Sequence, residues 1–319
     1  MTTIKTHVYA DTSNEPIPIG TVWLQPIKIR LVFADLDDTL GRGCVSESSA
    51  SAINRYLTDP KNHFVVMSAR APYAIAKALE NAHVRSSQRL HISGYHSNLS
   101  YLHTVGTTIG TIPLYDAPIN PVTVDSIVRA AYDNDVLVNG VAHLKYGAVA
   151  LLPKSNHERR DPFLDWYLGA SSHHLIDAPH RKLKDDEQVY LLEFLKSDER
   201  QLSEYKQMLN LGADVDVYEF KPYFDGAPDG TKVLQVVPAG SGKGRAARRY
   251  RKHLQIPFEK TMAIGDSMAD VGMFCQVDNS VAMGQAKLEV KLLADYVTLS
   301  VLDDGVAVAM KQLVLGMQD

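Results

Sequence analysis

The feature that most constrains this sequence is an apolar stretch that ends abruptly in carboxylates. Residues 27–34 are apolar and β-branched enough to form a buried strand of a parallel sheet, and Asp35 and Asp37 follow directly. Ligand sites of open α/β sheets lie beyond the carboxyl ends of such strands, so both side chains are expected to reach one ligand. Two close carboxylates repel each other unless a cation neutralises them, and a hard divalent ion such as Mg2+ favours oxygen ligands. An Asp-rich turn after the strand explains this stretch equally well, because Asp also favours turns.

Composition and charge are those of an ordinary soluble globular protein. The 319 residues are 45% hydrophobic and 22% charged with a net charge of -4, which gives no reason to expect nucleic acid as a partner. Two cysteines are too few for a disulfide scaffold, and no apolar window is long enough to span a membrane. The N-terminal residues lack the apolar core of a signal peptide, so we expect a cytoplasmic protein. The sequence carries no indication of an oligomeric state.

Predicted strands and helices alternate in two separate parts of the chain. After the first strand, a second buried strand is predicted over 63–67, and a helix begins at Pro72. This alternation is typical of a parallel sheet. It stops near residue 90, where 92–101 alternates like an antiparallel strand, and it returns at Lys243. The order of elements therefore predicts a core that is interrupted by an insertion.

We accordingly expect an α/β fold with a Rossmann-like parallel-sheet core and an inserted α+β cap domain. The core comprises residues 27–93 and 238–319, and the cap comprises residues 94–237. Residues 1–26 are polar and contain three prolines, so they are expected to form an N-terminal extension on the surface.

Further polar residues follow other predicted strand ends or lead back into the core. They are Thr39, Ser68, Lys243, Asp266 and Asp270. A phosphate dianion needs a cation and hydroxyl or amide donors, which Lys243 and Ser68 supply, while Asp266 and Asp270 complete a metal site with Asp35. Taken singly, Ser68 is better explained as a helix cap and Lys243 as a solvated lysine. Taken together in this order, the residues indicate one site for phosphate and metal.

The order and spacing of these residues resemble the haloacid dehalogenase superfamily of aspartate-nucleophile phosphatases. The motifs of that family are Asp-x-Asp-x-Thr/Val after a buried strand, a Ser or Thr after another strand, a Lys, and Gly-Asp-x-x-x-Asp. They are matched in that order by Asp35, Asp37 and Thr39; Ser68; Lys243; and Gly265, Asp266 and Asp270. The tail is similar to the Cof-type branch, which carries a C2 cap between the second and third motifs. The similar segments are Val-Ala-Met-Gly at 281–284, Ala-Asp-Tyr-Val at 294–297 and Asp-Gly-Val at 304–306.

The resemblance implies a phosphoric monoester hydrolase that works through an aspartyl-phosphate. Asp35 is then the nucleophile, and Asp37 is the general acid and base. The implied phosphate-binding residues are Thr39, Ser68 and Lys243. The implied cofactor is Mg2+, held by the Asp35 and Asp266 carboxylates and the Asp37 backbone carbonyl, with Asp270 close by as a ligand or water-holder. The implied partner is a small phosphorylated metabolite such as a sugar phosphate, and the cap closes over it and selects the leaving group.

The sequence departs from the usual pattern of that branch in three places, and three other functions remain open. The branch has Gly at the place of Asp38, Thr-Gly-Arg at the place of Ser68-Ala69-Arg70, and Asn at the place of Ala269. A phosphomutase of the same superfamily returns the phosphoryl group to its substrate. A receiver-type signalling domain uses similar residues but lacks a large insertion, and a non-catalytic phosphate-ligand sensor turns over no phosphate ester.

Overall fold

The computed structural model describes residues 17–18, 28–42, 44–85, 88–102, 104–105, 108–109, 113–134, 140–145, 147–151, 183–184, 186–196, 202–220 and 232–315. The chain forms two compact units. The first comprises Met1–Leu114 and Gly242–Asp319, and the second comprises Tyr115–Ser241. Within the described ranges, none of the helices combines the length and the apolar character that a bilayer crossing requires.

The strands are β1 (Ile17–Pro18), β2 (Leu31–Asp35), β3 (His63–Met67), β4 (Leu90–Gly94), β5 (Leu99–Tyr101), β6 (Thr104–Val105), β7 (Thr108–Ile109), β8 (Pro113–Asp116), β9 (Gly140–Leu144), β10 (Gly147–Ala150), β11 (Val189–Lys196), β12 (Val215–Phe220), β13 (Lys232–Pro238), β14 (Thr261–Gly265), β15 (Asn279–Ala282) and β16 (Tyr296–Val297). The helices are α1 (Glu47–Tyr56), α2 (Pro72–Asn81), α3 (Pro121–Asn134), α4 (Leu202–Met208), α5 (Lys243–His253), α6 (Met268–Phe274), α7 (Leu288–Lys291) and α8 (Gly305–Ala309).

The first unit is built on a sheet with strand order β1-β16-β15-β14-β2-β3-β4-β5-β8. The pairs from β1 to β4 are parallel, and β5 is antiparallel to β4. Along β2, Leu31 and Phe33 join an apolar cluster with α5 and α6, whereas Val32 and Ala34 join a second cluster with α1, α2 and α8. Helices therefore cover both faces of the sheet, which explains why this strand is apolar without alternation. The predicted parallel-sheet core is confirmed.

The expectation of one antiparallel strand over 92–101 is wrong. The segment forms two strands, β4 parallel to β3 and β5 antiparallel to β4. The chain reverses between them at Tyr95, His96 and Ser97, whose φ angles are 52°, 52° and 72°. Polar residues of this segment such as Ser93 and Ser100 are buried, and the hydroxyls of these two residues pair with each other at 2.8 Å. Both strands thus belong to the core sheet, and the first unit continues to Leu114.

The second unit contains an antiparallel sheet of strand order β10-β9-β11-β13-β12. Its apolar cluster joins this sheet to α3 and α4 through residues such as Ile127, Phe194, Tyr205 and Val236. Because this cluster is separate from those of the first unit, the insertion has a core of its own.

The N-terminal extension expected over residues 1–26 is described only at Ile17–Pro18. These residues pair in parallel with Tyr296 and Val297 of β16. They therefore add a short strand to the edge of the core sheet. The rest of the extension lies outside the described residues.

Candidate active site

The sequence motifs meet at the carboxyl edge of three neighbouring strands. Asp35 is the last residue of β2, Ser68 follows β3, and Asp266 follows β14. The order β14-β2-β3 places these ends side by side, as expected for the carboxyl ends of parallel strands. Lys243 is the first residue of α5, and Asp270 lies in the first turn of α6.

Lys243 joins two of the carboxylates. Its Nζ lies 2.6 Å from Oδ1 of Asp35 and 2.6 Å from Oδ1 of Asp270, and all three residues are buried. Burial lowers the pKa of the Lys243 amine, but Asp270 and Asp35 outweigh this effect and raise its pKa above the ordinary value. The ammonium therefore remains charged and fixed between the two aspartates.

Asp270 uses both of its oxygens within the protein. Oδ1 accepts a hydrogen bond from Lys243, and Oδ2 accepts from the backbone N–H groups of Asp266 at 3.0 Å and Ser267 at 2.9 Å and from the Ser267 hydroxyl at 3.0 Å. A Cβ on Gly265 would lie 2.5 Å from the Cβ of Asp270, which explains the glycine of this motif sterically. Asp270 thus orders the loop after β14 and orients Lys243, and its direct binding to a metal stays a prediction.

The carboxylates of Asp35, Asp266 and Asp270 are crowded enough to suit a cation. One oxygen of each lies within 4.8 Å of the others. Burial raises the pKa of Asp35 well above its usual range, with further contributions from Asp270 and Asp266, although Lys243 opposes the rise. Burial and the charge of Asp270 raise the pKa of Asp266 to about 6. When all three carboxylates are ionised, the Lys243 ammonium leaves two of their negative charges uncompensated, and one divalent ion with a preference for oxygen balances them.

Thr39 is buried and donates its hydroxyl to Oδ1 of Asp266 at 3.1 Å. This contact connects the turn after β2 to the loop after β14 and fixes the Asp266 carboxylate. A contact between Thr39 and a phosphate stays a prediction.

Asp37 lies beyond Asp35 and has a different set of partners. Arg70 donates from Nε to Oδ2 of Asp37 at 2.8 Å and from Nη2 to Oδ1. The Ser68 hydroxyl lies 3.4 Å from Oδ2 of Asp37 and also accepts a hydrogen bond from the backbone N–H of Arg70 at 3.0 Å. The two aspartates of the first motif thus occupy distinct environments, one beside a lysine and one beside an arginine.

Comparison with known proteins identifies the family. The sequence profile of the haloacid dehalogenase-like hydrolases matches residues 32–310. The chain belongs to this family. Phosphatase YwpJ of Bacillus subtilis is 27% identical over 186 residues, a match that covers 52% of this chain and 63% of that relative. The chain therefore spans somewhat less than two thirds of that relative's length.

Solved structures show the same fold over nearly the whole chain. TM0651 of Thermotoga maritima has a TM-score of 0.71 at 23% identity and covers 91% of this chain and 98% of that one. The subclass IIB sugar phosphatase BT4131 has a TM-score of 0.67 at 19% identity and covers 88% of this chain and 98% of that one. The haloacid dehalogenase-like fold with an inserted cap is thereby confirmed.

One departure from the family pattern has a backbone explanation in this haloacid dehalogenase-like hydrolase. Asp38 has a φ angle of 55°, in the left-handed region that glycine adopts easily and that Asp tolerates better than most residues. The usual Gly and the Asp38 found here therefore serve the same turn. The side chain of Asp38 is an additional negative charge that contributes to the raised pKa of Asp266.

Two residues at the site were missed from the sequence as functional candidates. Arg70 stood in the second motif, but nothing local indicated that it pairs with Asp37. Gln285 donates its amide N–H to the carbonyl of Asp38 and accepts from the backbone N–H of Val301 at 2.9 Å. Its place directly after Val-Ala-Met-Gly was the available signal, because that segment leaves β15 at the same edge of the sheet.

Proposed function

We propose that this haloacid dehalogenase-like hydrolase is a Mg2+-dependent phosphatase that hydrolyses small phosphate monoesters through an aspartyl-phosphate on Asp35. The observation that carries the proposal is the placement of Asp35 at the end of β2, 2.6 Å from the Lys243 ammonium and among the carboxylates of Asp266 and Asp270. A carboxylate at a strand end with cationic support is suited to attack a phosphorus atom, because phosphoryl transfer depends mainly on positioning and charge neutralisation.

In the proposed reaction Asp35 attacks phosphorus and the bond to the leaving oxygen breaks. Asp37 gives its proton to that oxygen and then takes a proton from the water that hydrolyses the aspartyl-phosphate. Lys243 faces the phosphoryl oxygens with its charge, and Ser68 donates a hydrogen bond to one of them. Asp270 contributes indirectly, because it keeps Lys243 beside Asp35.

The residues present fit a bound Mg2+ ion. Asp35, Asp266 and the backbone carbonyl of Asp37 would hold it, and they offer the oxygen ligands that Mg2+ prefers. When bound, the ion supplies positive charge that neutralises the phosphate and permits an anionic nucleophile to approach. The hydrogen bond from Thr39 keeps Asp266 oriented for this purpose.

We take sugar-phosphate-like monoesters as the substrate class. The support is twofold: the resemblance to the Cof-type branch, and the structural likeness to BT4131, which is named a sugar phosphatase. A small phosphorylated metabolite also fits this site, because the motif residues lie close enough together to contact a single phosphate group.

The test is a panel of phosphate esters incubated with the purified protein, with and without Mg2+. Release of inorganic phosphate that requires Mg2+ and stops with a chelator is expected, whereas an isomerised ester without free phosphate would indicate a phosphomutase. Acid quenching during turnover followed by mass spectrometry is expected to find a phosphate adduct on the peptide that carries Asp35. Binding of esters without any turnover would contradict the proposal and favour a sensor.

A further inference from the structure

Arg70 holds both carboxylate oxygens of Asp37. The guanidinium donates from Nε to Oδ2 at 2.8 Å and from Nη2 to Oδ1. Such a fork fixes a carboxylate in position and in plane, which the single ammonium of a lysine does not do. The side chain of Arg70 is 19% exposed and that of Asp37 is 34% exposed, so the pair is partly shielded from water. It differs in this from freely solvated ion pairs, which contribute little to stability.

The backbone of Arg70 is itself fixed from both sides. Its N–H donates to the Ser68 hydroxyl at 3.0 Å, and its carbonyl accepts from the backbone N–H of Tyr95 at 2.9 Å. A Cβ at Gly94 would lie only 2.6 Å from the Arg70 carbonyl oxygen, so the end of β4 packs tightly against this backbone. The guanidinium therefore projects toward Asp37 from an anchored position between β3 and α2.

We propose that Arg70 is a positioning residue for proton transfer by Asp37, an inference that rests on the proposed function. It keeps the Asp37 carboxylate aimed in one direction between turnovers. The guanidinium uses one lone pair of each oxygen, and the second lone pair of each oxygen is left for a proton.

The proton balance of the two half-reactions follows from this arrangement. In the first, the Asp37 proton passes to the leaving oxygen as the bond between that oxygen and phosphorus breaks. In the second, water adds to phosphorus, its proton passes to Asp37, and the bond between phosphorus and Asp35 breaks. Arg70 gives up no proton in either step. Replacing Arg70 is therefore expected to slow the steps that need Asp37 and no others.

The experiment compares kcat/KM for phosphate esters of good and poor leaving groups, with 4-nitrophenyl phosphate and an alkyl phosphate as the extremes. The good leaving group departs without a proton, whereas the alkoxide needs one. General acid catalysis contributes about 10²–10⁴-fold, so Arg70→Ala is expected to lose about tenfold or more on the alkyl ester and less than about threefold on the aryl ester. Arg70→Lys, which keeps the charge but not the fork, is expected to recover only part of the alkyl activity.

A double-mutant cycle with Asp37→Asn separates positioning from a structural effect. Once Asp37 is lost, adding Arg70→Ala is expected to change kcat/KM no further. Arg30→Ala is the matched control, because Arg30 pairs with Asp59 at 2.6 Å in the same unit and takes no part in the site. It is expected to lower the melting temperature without changing the ratio of alkyl to aryl turnover.

The outcomes are distinguishable. Equal losses on both esters, or the same loss in the Asp37→Asn background as in wild type, would show that Arg70 does not act through Asp37. If Asp37→Asn lowers alkyl turnover while Arg70→Ala leaves the ester ratio unchanged, the proposed function stands and the role of Arg70 is wrong. If the wild-type protein with Mg2+ hydrolyses no ester of the panel, both are wrong.

Discussion

At the scale of single residues, Asp35, the proposed nucleophile, lies in an unfavourable environment for a carboxylate. Burial raises its pKa, and two further carboxylates lie close by. We therefore expect Asp35→Asn to lower kcat by more than about a thousandfold, because the amide forms no aspartyl-phosphate. In the absence of metal, the same change is expected to leave the melting temperature unchanged or higher at pH 7, because it removes a charge from a crowded site. Kinetics and thermal unfolding of the purified variant check both expectations.

Asp295→Asn is the matched control for this substitution. Asp295 accepts hydrogen bonds from the Ser280 backbone N–H at 2.8 Å and from the Ser280 hydroxyl at 2.6 Å. Its loss is expected to lower the melting temperature while kcat of the folded protein is kept. Substantial residual turnover by Asp35→Asn, or a clear loss of stability in that variant alone, would contradict the nucleophile assignment or the account of its environment.

The raised pKa of Asp266 leads to a prediction of how metal binding depends on pH. Its pKa is raised to about 6 in the folded protein from an ordinary 3.8, so the folded state binds more protons than the unfolded state between these values. In the metal-free protein, stability therefore falls as pH rises through this window. A metal ion must displace the proton, so Mg2+ affinity is expected to rise by about tenfold per pH unit below pH 6 and to level off above it if one proton is released.

Calorimetric titration with Mg2+ at several pH values measures this dependence. The Asp266→Asn variant is expected to bind Mg2+ more weakly and to lose most of the rise. An affinity that is constant from pH 5 to pH 7 in the wild-type protein would remove Asp266 from the set of metal ligands.

At the scale of elements, the contact between α5 and α6 determines where Lys243 lies. A Cβ at Gly244 would lie 2.4 Å from the carbonyl oxygen of Gly272, whereas a Cβ at Gly272 would lie 3.4 Å from its nearest neighbour, the Gly244 nitrogen. Gly244→Ala is therefore expected to push the helices apart and to cost about 1–3 kcal/mol of stability. Because α5 starts at Lys243 and α6 carries Asp270, kcat is expected to fall as well.

Gly272→Ala is the control in the same contact, since its added methyl group meets nearly ordinary van der Waals distances. Chemical unfolding and kinetics of both variants measure the difference. Equal effects of the two substitutions would show that the closeness of the helices does not set the position of Lys243.

The elements that carry the motifs were predictable, and their side-chain partners were not. The apolar runs that end at Asp35 and Met67 indicated buried parallel strands, and the geometry of such sheets brings their carboxyl ends together. The fork between Arg70 and Asp37 depends on a loop whose backbone is fixed by Gly94 and Tyr95, so no local pattern encodes it. The error over 92–101 has a similar cause, because the pairing of Ser93 with Ser100 makes polar residues compatible with burial.

At the scale of the whole molecule, the motif residues lie in one of the two units. Asp35, Ser68, Lys243 and Asp266 all lie within Met1–Leu114 and Gly242–Asp319. Two apolar clusters flank the sheet of that unit, and a third belongs to the inserted unit. Each unit thus has the core that independent folding requires.

Replacing Tyr115–Ser241 with a short flexible linker tests what the insertion contributes. The first unit keeps both of its apolar clusters and every motif residue, so the spliced protein is expected to fold and to hydrolyse 4-nitrophenyl phosphate with Mg2+. We expect it to lose discrimination among sugar phosphates. The insertion is proposed to select the leaving group, and binding energy from the parts of a substrate remote from the phosphate speeds the reaction of the preferred ester.

The measurement is the ratio of kcat/KM for the preferred ester to that for the aryl ester, in the spliced and the full-length proteins. Asp35→Asn in the spliced protein is the control that the remaining turnover uses the same nucleophile. A spliced protein that folds and retains the full-length ratio would show that specificity lies in the core, and the proposed role of the cap would then be wrong.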